Sequence, residues 1–253
     1  LLSHFSNGVG VIDWRQKINW EDKKLELLLT PAEDRFAGQS EIDPGKIVYT
    51  INHSGKEEII SIYPDTLVWM RDFSYSYNEP LAKKYFAHAE YDQYPVVGIS
   101  MKQAMAFCLW KTAQINQPFK KSAGFEVTVR LPTNAEWESA AFEQKDTTIL
   151  ATKNNNYRYN FGNIIDGNRM TVKTYRDDGY FYTGPVKSYA VGSYGLYDIK
   201  GNVAEWTSTS MEEVMNAEVK EARTRSIFVA KGGGWNSTPF YLQAGVCQFL
   251  PAD

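Results

Sequence analysis

The stretch Tyr194-Gly-Leu-Tyr-Asp-Ile-Lys-Gly-Asn-Val-Ala-Glu-Trp-Thr207 decides how this sequence is read. It lies in a region, from residue 150 onward, of short β-like pieces joined by long polar loops rich in Asn, Asp, Gly and Tyr. Regular structure is expected to be sparse there. Downstream, Lys231-Gly-Gly-Gly-Trp235 places three glycines in a row. No Gly-Lys-Ser/Thr follows them and no strand-to-helix context is evident, so close backbone packing is the better reading than a phosphate-cradling loop. Asp177-Asp178 and Glu212-Glu213 are neighbours in sequence only, because adjacent residues of an extended chain face opposite ways.

Upstream the patterns are more regular. Ser100-Met-Lys-Gln103 has the form of a capping box and predicts a helix from Met101. Met101, Ala104, Met105, Cys108, Leu109 and Thr112 would form its inward face. A second box, Thr133-Asn-Ala-Glu136, predicts a short helix through Trp137 and Ala140, after a β-like run from Glu126 to Leu131. Residues 46–63 read as a hairpin about Asn52-His53-Ser54-Gly55, with His53 a solvated turn residue. The first 45 residues read as helix and polar loop. Pro64 to Pro95 is dense in aromatics, Trp69, Tyr85, Tyr91 and Tyr94 among them, and two readings stand: core filling, or a surface offered to a partner. Met211 to Arg225 reads as a charged, helix-prone excursion into solvent.

Composition narrows the function classes. The 253 residues carry a formal charge of −3, which lacks the basic footprint of a nucleic-acid binder. Two cysteines, Cys108 and Cys247, exclude a disulfide scaffold and a four-thiolate metal site, and three scattered histidines form no metal-binding motif. No apolar run approaches the roughly 20 residues of a membrane-spanning helix. With no internal repeat and no linker-like segment, one irregular α+β domain over 1–253 is expected.

Five motifs in order, Pro95-Val-Val-Gly-Ile-Ser100, Ala106-Phe-Cys-Leu-Trp110, Arg130-Leu-Pro-Thr-Asn-Ala-Glu-Trp137-Glu, Tyr194 to Thr207 and Lys231-Gly-Gly-Gly-Trp235, resemble the formylglycine-generating enzyme (sulfatase-modifying factor) superfamily. The resemblance covers about residues 95–247 and implies a C-type-lectin-like fold with little regular secondary structure, the superfamily core occupying 95–253. More narrowly, nearly the whole chain is similar to the gliding-motility and type IX secretion lipoproteins called GldK or PorK, on motifs of the N-terminal part, 1–94, and the residues just after it. It carries Asp13-Trp-Arg-Gln-Lys-Ile-Asn-Trp20, Tyr63-Pro-Asp-Thr-Leu-Val-Trp-Met-Arg-Asp-Phe-Ser-Tyr-Ser-Tyr-Asn-Glu-Pro80 and His88 to Pro95. That second resemblance implies a periplasmic structural protein, anchored to the outer membrane by a lipidated cysteine upstream of Leu1, self-associating in a ring with a GldN or PorN partner.

The enzymes of the superfamily oxidise a substrate cysteine with copper held by two thiolates shortly after the Lys-Gly-Gly motif. Aligned on Lys231-Gly-Gly-Gly-Trp235, those positions hold Ser237 and Leu242. Soft sulfur selects Cu(I), and neither a hydroxyl nor an alkyl chain replaces it, so no copper and no oxidase activity are expected. The family disulfide positions are also broken: Cys247 would pair with the position of Ala141, and Cys108 with one beyond Asp253. Two free thiols are expected, a direct bridge requiring Cα atoms within about 7 Å.

The resemblance implies calcium at two places. Asp198, the carbonyls of Gly201 and Val203, and Glu205 would make one site; Asn160, the carbonyl of Phe161, Asp178 and the carbonyl of Tyr180 would make a weaker one. Mixed carboxylate and carbonyl oxygens suit Ca²⁺ in a structural role. The competing reading has Asp198 and Glu205 capping turns or pairing with Lys200 or an arginine. For function, the leading expectation is a non-catalytic ring subunit, with Trp69 to Tyr94 or Met211 to Arg225 contributing contacts. The alternatives are an active copper oxidase and a lectin-like binder of carbohydrate or peptidoglycan.

Overall fold

The computed structural model describes residues 19–53, 56–71, 79–117, 126–142, 157–165, 171–189, 191–192, 194–215 and 226–253. Five α-helices occur among them: α1 (Val68–Arg71), α2 (Glu79–Lys84), α3 (Met101–Asn116), α4 (Asn134–Phe142) and α5 (Met211–Met215). The strands are β1 (Val48–His53), β2 (Lys56–Ser61), β3 (Ile164–Ile165), β4 (Thr171–Lys173), β5 (Glu205–Ser210), β6 (Ile227–Lys231) and β7 (Gln248–Pro251). They form two hairpins, β1-β2 and β3-β4, and an antiparallel sheet ordered β5-β6-β7. This is the mixed, loop-heavy α+β architecture that the sequence led us to expect. Contacts within the chain gather into two compact units, the described residues up to Tyr63 with Lys102–Arg130, and Pro64–Met101 with Leu131–Asp253.

In the first unit, residues 19–45 form four 3₁₀ turns, beginning at Glu26, Ala32, Phe36 and Pro44, where helix and polar loop were expected; residues 1–18 lie outside the described residues. Local side chains take the backbone donors a helix would use: Glu21 N donates to Asn19 Oδ1, Lys24 N to Asp22 Oδ1 and Gly45 N to Asp43 Oδ1. The β1-β2 hairpin forms with His53 opposite Lys56. Its turn at 54–55 and the His53 side chain lie outside the described residues. Glu126 to Leu131 joins no ladder, against expectation. Its polar groups are taken by α3 instead: Asn116 Nδ2 donates to Val127 O at 2.7 Å, Val127 N to Asn116 Oδ1 at 2.9 Å, and Val129 N to Thr112 Oγ1 at 2.8 Å. A helix has replaced the partner strand. The inward face expected of α3 is only partly realised, with Met101 and Ala104 buried and Met105 and Leu109 exposed. Apolar residues sit all around this helix, so spacing alone does not single out a face.

The second unit holds the aromatic core. Trp69 and Tyr85 are 2% and 4% exposed, with Tyr91, Tyr94, Tyr182 and Trp235 packed about them. Ring centroids lie 4.7 Å apart for Trp69–Tyr85 and 5.0 Å for Tyr182–Trp235, tilted or edge-on as aromatic quadrupoles prefer. Tyr85 Oη donates to Pro95 O at 2.7 Å and sits 3.0 Å from Thr183 Oγ1; burial pushes its phenol far above the usual range. The described aromatics from 69 to 94 thus include core residues. Phe73, Tyr75 and Tyr77 lie outside the described residues.

Candidate functional site

Three loops of the second unit are laced together by backbone hydrogen bonds: Asn202 N donates to Asn160 O, Gly201 N to Gly232 O, Trp235 N to Asn202 O and Gly162 N to Ser237 O, all at 2.8–2.9 Å. The chain can follow this path because Asp198, Gly201 and Asn202 take positive φ of 55°, 77° and 63°. Asp and Asn are the non-glycine types that tolerate that region. At Gly201 a Cβ would come within 2.4 Å of Asn160 O, so only glycine permits the approach.

Asn202, 2% exposed, fastens a fourth segment. Its Oδ1 accepts from Gly184 N at 2.8 Å and from Asn160 Nδ2 at 3.3 Å, and its Nδ2 donates to Gly184 O at 3.1 Å. Sequence reasoning passed over this residue, although an asparagine beside a loop glycine is where a side-chain amide substitutes for a missing ladder.

α4 supplies the next layer. The Thr133 capping box forms as expected: Thr133 N donates to Glu136 Oε2 at 2.8 Å and Glu136 N to Thr133 Oγ1 at 3.2 Å. The helix so placed presents Trp137, whose Nε1 donates to Glu205 Oε2 at 2.7 Å, and Glu138, whose Oε1 lies 2.8 Å from Lys231 Nζ. Glu205 and Lys231 face each other in the β5-β6 register. Lys231 is wholly buried, with Cys247 Sγ 3.6 Å from its ammonium. Cys108 and Cys247 are both free thiols, as expected.

Ser237 and Leu242 come together around Gly233: a Cβ built there would lie 3.3 Å from Ser237 Cβ and 3.0 Å from Leu242 Cδ1. The space between the two positions is therefore occupied by backbone that has no side chain of its own. Neither side chain offers a soft donor. The Ser237 hydroxyl accepts from Gly234 N at 2.9 Å, closing a turn, and Leu242 is 1% exposed among Tyr159 and Phe161. These residues do not fit copper.

The first set of candidate calcium ligands divides its oxygens. Asp198 accepts from the amides of Lys187 and Tyr189, and Gly201 O accepts from Val203 N at 2.8 Å. Glu205 is different. Burial pushes its carboxyl above the usual carboxylate range, the Trp137 indole pulls it partly back, and the charge of Asp198 adds to the rise. Asp198 and Glu205 both carry hard oxygens, the donor type Ca²⁺ takes, but both oxygens of Asp198 already accept from backbone amides. In the second set, Asp178 and Phe161 O are both engaged by Lys173: its Nζ lies 2.6 Å from Asp178 Oδ2 and 2.7 Å from Phe161 O. Tyr180 N donates to Asp178 Oδ1 at 3.4 Å, and Asn160 Oδ1 is buried with no hydrogen-bond donor. Among the described residues no three His, Cys, Asp or Glu side chains gather as a metal cluster, and no helix is long and apolar enough to cross a membrane.

With this geometry in place, the comparison with known proteins is decisive: the profile of the sulfatase-modifying factor enzyme 1-like domain matches residues 35–249. The chain belongs to that family. The formylglycine-generating enzyme of Mus musculus is 32% identical over 150 residues, covering 56% of this chain and 35% of that protein. The inactive C-alpha-formylglycine-generating enzyme 2 of Bos taurus is 28% identical over 147 residues, covering 58% and 40%. The chain thus spans well under half the length of these relatives. PvdO from Pseudomonas aeruginosa has a TM-score of 0.45 at 18% identity, over 63% of this chain and 57% of that one. The family therefore includes both proteins named as enzymes and proteins named as inactive.

Proposed function

We propose that this member of the sulfatase-modifying factor family is a non-catalytic structural subunit of type IX secretion or gliding machinery. It would assemble at the outer membrane as a periplasmic ring, with copies of itself and a GldN or PorN partner, held by a lipidated cysteine outside this sequence. The observation that carries the non-catalytic half is the pair Ser237 and Leu242. Folded side by side around Gly233, they supply a hydroxyl already used in a turn and a buried alkyl chain where two thiolates would be needed. The secretion half rests on the resemblance of residues 13–20, 63–80 and 88–95. Calcium at Asp198, Glu205 and the nearby loop carbonyls would be structural, tying the loop that carries Asp198 to the start of β5. Purification of the full-length protein from its native membrane, followed by electron microscopy, tests the reading. Ring particles containing a second protein are expected; a protein recovered only as a monomer would count against it.

A further inference from the structure

The side chain of Lys173, at the end of β4, is wholly buried, and its ammonium sits in a cage of oxygens. Phe161 O lies 2.7 Å from Nζ, Asp178 Oδ2 2.6 Å, Thr174 O 3.1 Å and Gly162 O 3.5 Å. The Phe161 ring closes one side, its centroid 4.3 Å away, with the Tyr157 ring at 5.2 Å. The carboxylate is itself held in place by Phe161 N, which donates to Asp178 Oδ2 at 3.0 Å. One carboxylate plus several carbonyls is the donor set of a hard cation, and here the charge balances with a single ammonium. A divalent ion could not share this space, since it would set a second positive charge beside a buried first one. Asn160 Oδ1, on the neighbouring residue, is an acceptor left over, buried and without a donor.

We propose that this cage is a cation site whose cation is supplied by the chain itself: Lys173 holds the 160–162 and 174–178 loops together without a metal ion. It follows that removing the ammonium turns the cage into a site for free calcium, built from Asp178 and the carbonyls of Phe161, Gly162 and Thr174. The proposal is independent of the secretion reading and of any calcium at Asp198 and Glu205.

The test uses a Glu205→Gln background, which disables the other candidate site, and adds Lys173→Ala or Lys173→Met. Both additions are expected to lower the melting temperature by roughly 10 °C, because Asp178 is left buried and unpaired. Calcium at saturating concentration should then restore roughly 5 °C to Lys173→Ala, relative to sodium at equal ionic strength. It should restore nothing to Lys173→Met, whose side chain still fills the cage. An alanine variant indifferent to calcium overturns the proposal. Should the alanine variant not fold, equilibrium dialysis of radioactive calcium against the Glu205→Gln protein decides: no bound ion supports the proposal, and one ion per chain refutes it.

Discussion

Substitution of Asn202 by alanine would cut the loops of the site apart at one point. The side chain is 2% exposed and makes three hydrogen bonds, two of them to the amide and carbonyl of Gly184, which is itself buried. Alanine leaves that N–H and that C=O without partners. Asn160 Nδ2 keeps its bond to Tyr182 O at 2.7 Å, so its loss is small. Each orphaned buried group costs about 1–3 kcal/mol, and alanine at a φ of 63° adds about 1 kcal/mol, for a total of about 3–7 kcal/mol. Urea denaturation followed by tryptophan fluorescence reads this as a fall in midpoint. Asn202→Gly should lose the same hydrogen bonds but recover about 1 kcal/mol, since glycine takes positive φ freely. Asn202→Asp keeps the acceptor for Gly184 N and sets an oxygen against Gly184 O, so it should fall at least as far as alanine near neutral pH. A cost below about 1 kcal/mol for Asn202→Ala would show that the loops are held by other means and refute the reasoning.

Two further predictions concern charge. Burial raises the Glu205 carboxyl, so the folded chain holds this proton more tightly than the unfolded one; that stability is full at acid pH and is lost as pH rises from the ordinary carboxylate range through the folded value. Glu205→Gln keeps an oxygen for the Trp137 indole and should, in calcium-free buffer, be more stable than the parent at neutral pH, with the two converging in acid; a parent that gains stability with pH across this window would contradict the assignment. Calcium should reverse the neutral-pH order, because the variant lacks one carboxylate. At Lys231, Glu138→Ala strands a fully buried ammonium, and since Glu138 is 35% exposed the cost should be about 2–3 kcal/mol rather than that of a wholly buried pair. Adding Lys231→Met should recover most of the lost melting temperature; no recovery would mean that the pair contributes through shape and not through charge.

Much of this architecture was legible because its signals are local. The Thr133 box and the start of α3 each depend on residues within four positions of one another, and each forms, while the strands of the 46–63 hairpin pair as their β-rich composition suggests. What could not be read depends on partners distant in sequence. Val127 and Val129 have a strand's composition, but their hydrogen bonds go to Asn116 and Thr112, side chains of a helix that period counting treats only as apolar or not. Lys173 shows no motif at all; only the fold brings its ammonium to Phe161 and Asp178. Ser210 was likewise passed over, although it forms a capping box as Thr133 does, donating from its N to Glu213 Oε2 at 2.6 Å and accepting from Glu213 N at 3.3 Å. The Ser237 and Leu242 positions were legible because a glycine motif nearby sets the alignment, and the fold does bring the two side chains together around Gly233.

With Ser237 and Leu242 at the two thiolate positions, the site is proposed to carry out no copper chemistry. The most direct test is to incubate the protein with Cu(I), oxygen and a peptide carrying a single cysteine, and to follow the peptide by mass spectrometry. Unchanged peptide is expected, with no copper retained at Ser237 and Leu242. Formylglycine in the peptide, still formed after Cys108→Ser and Cys247→Ser, would contradict the proposal.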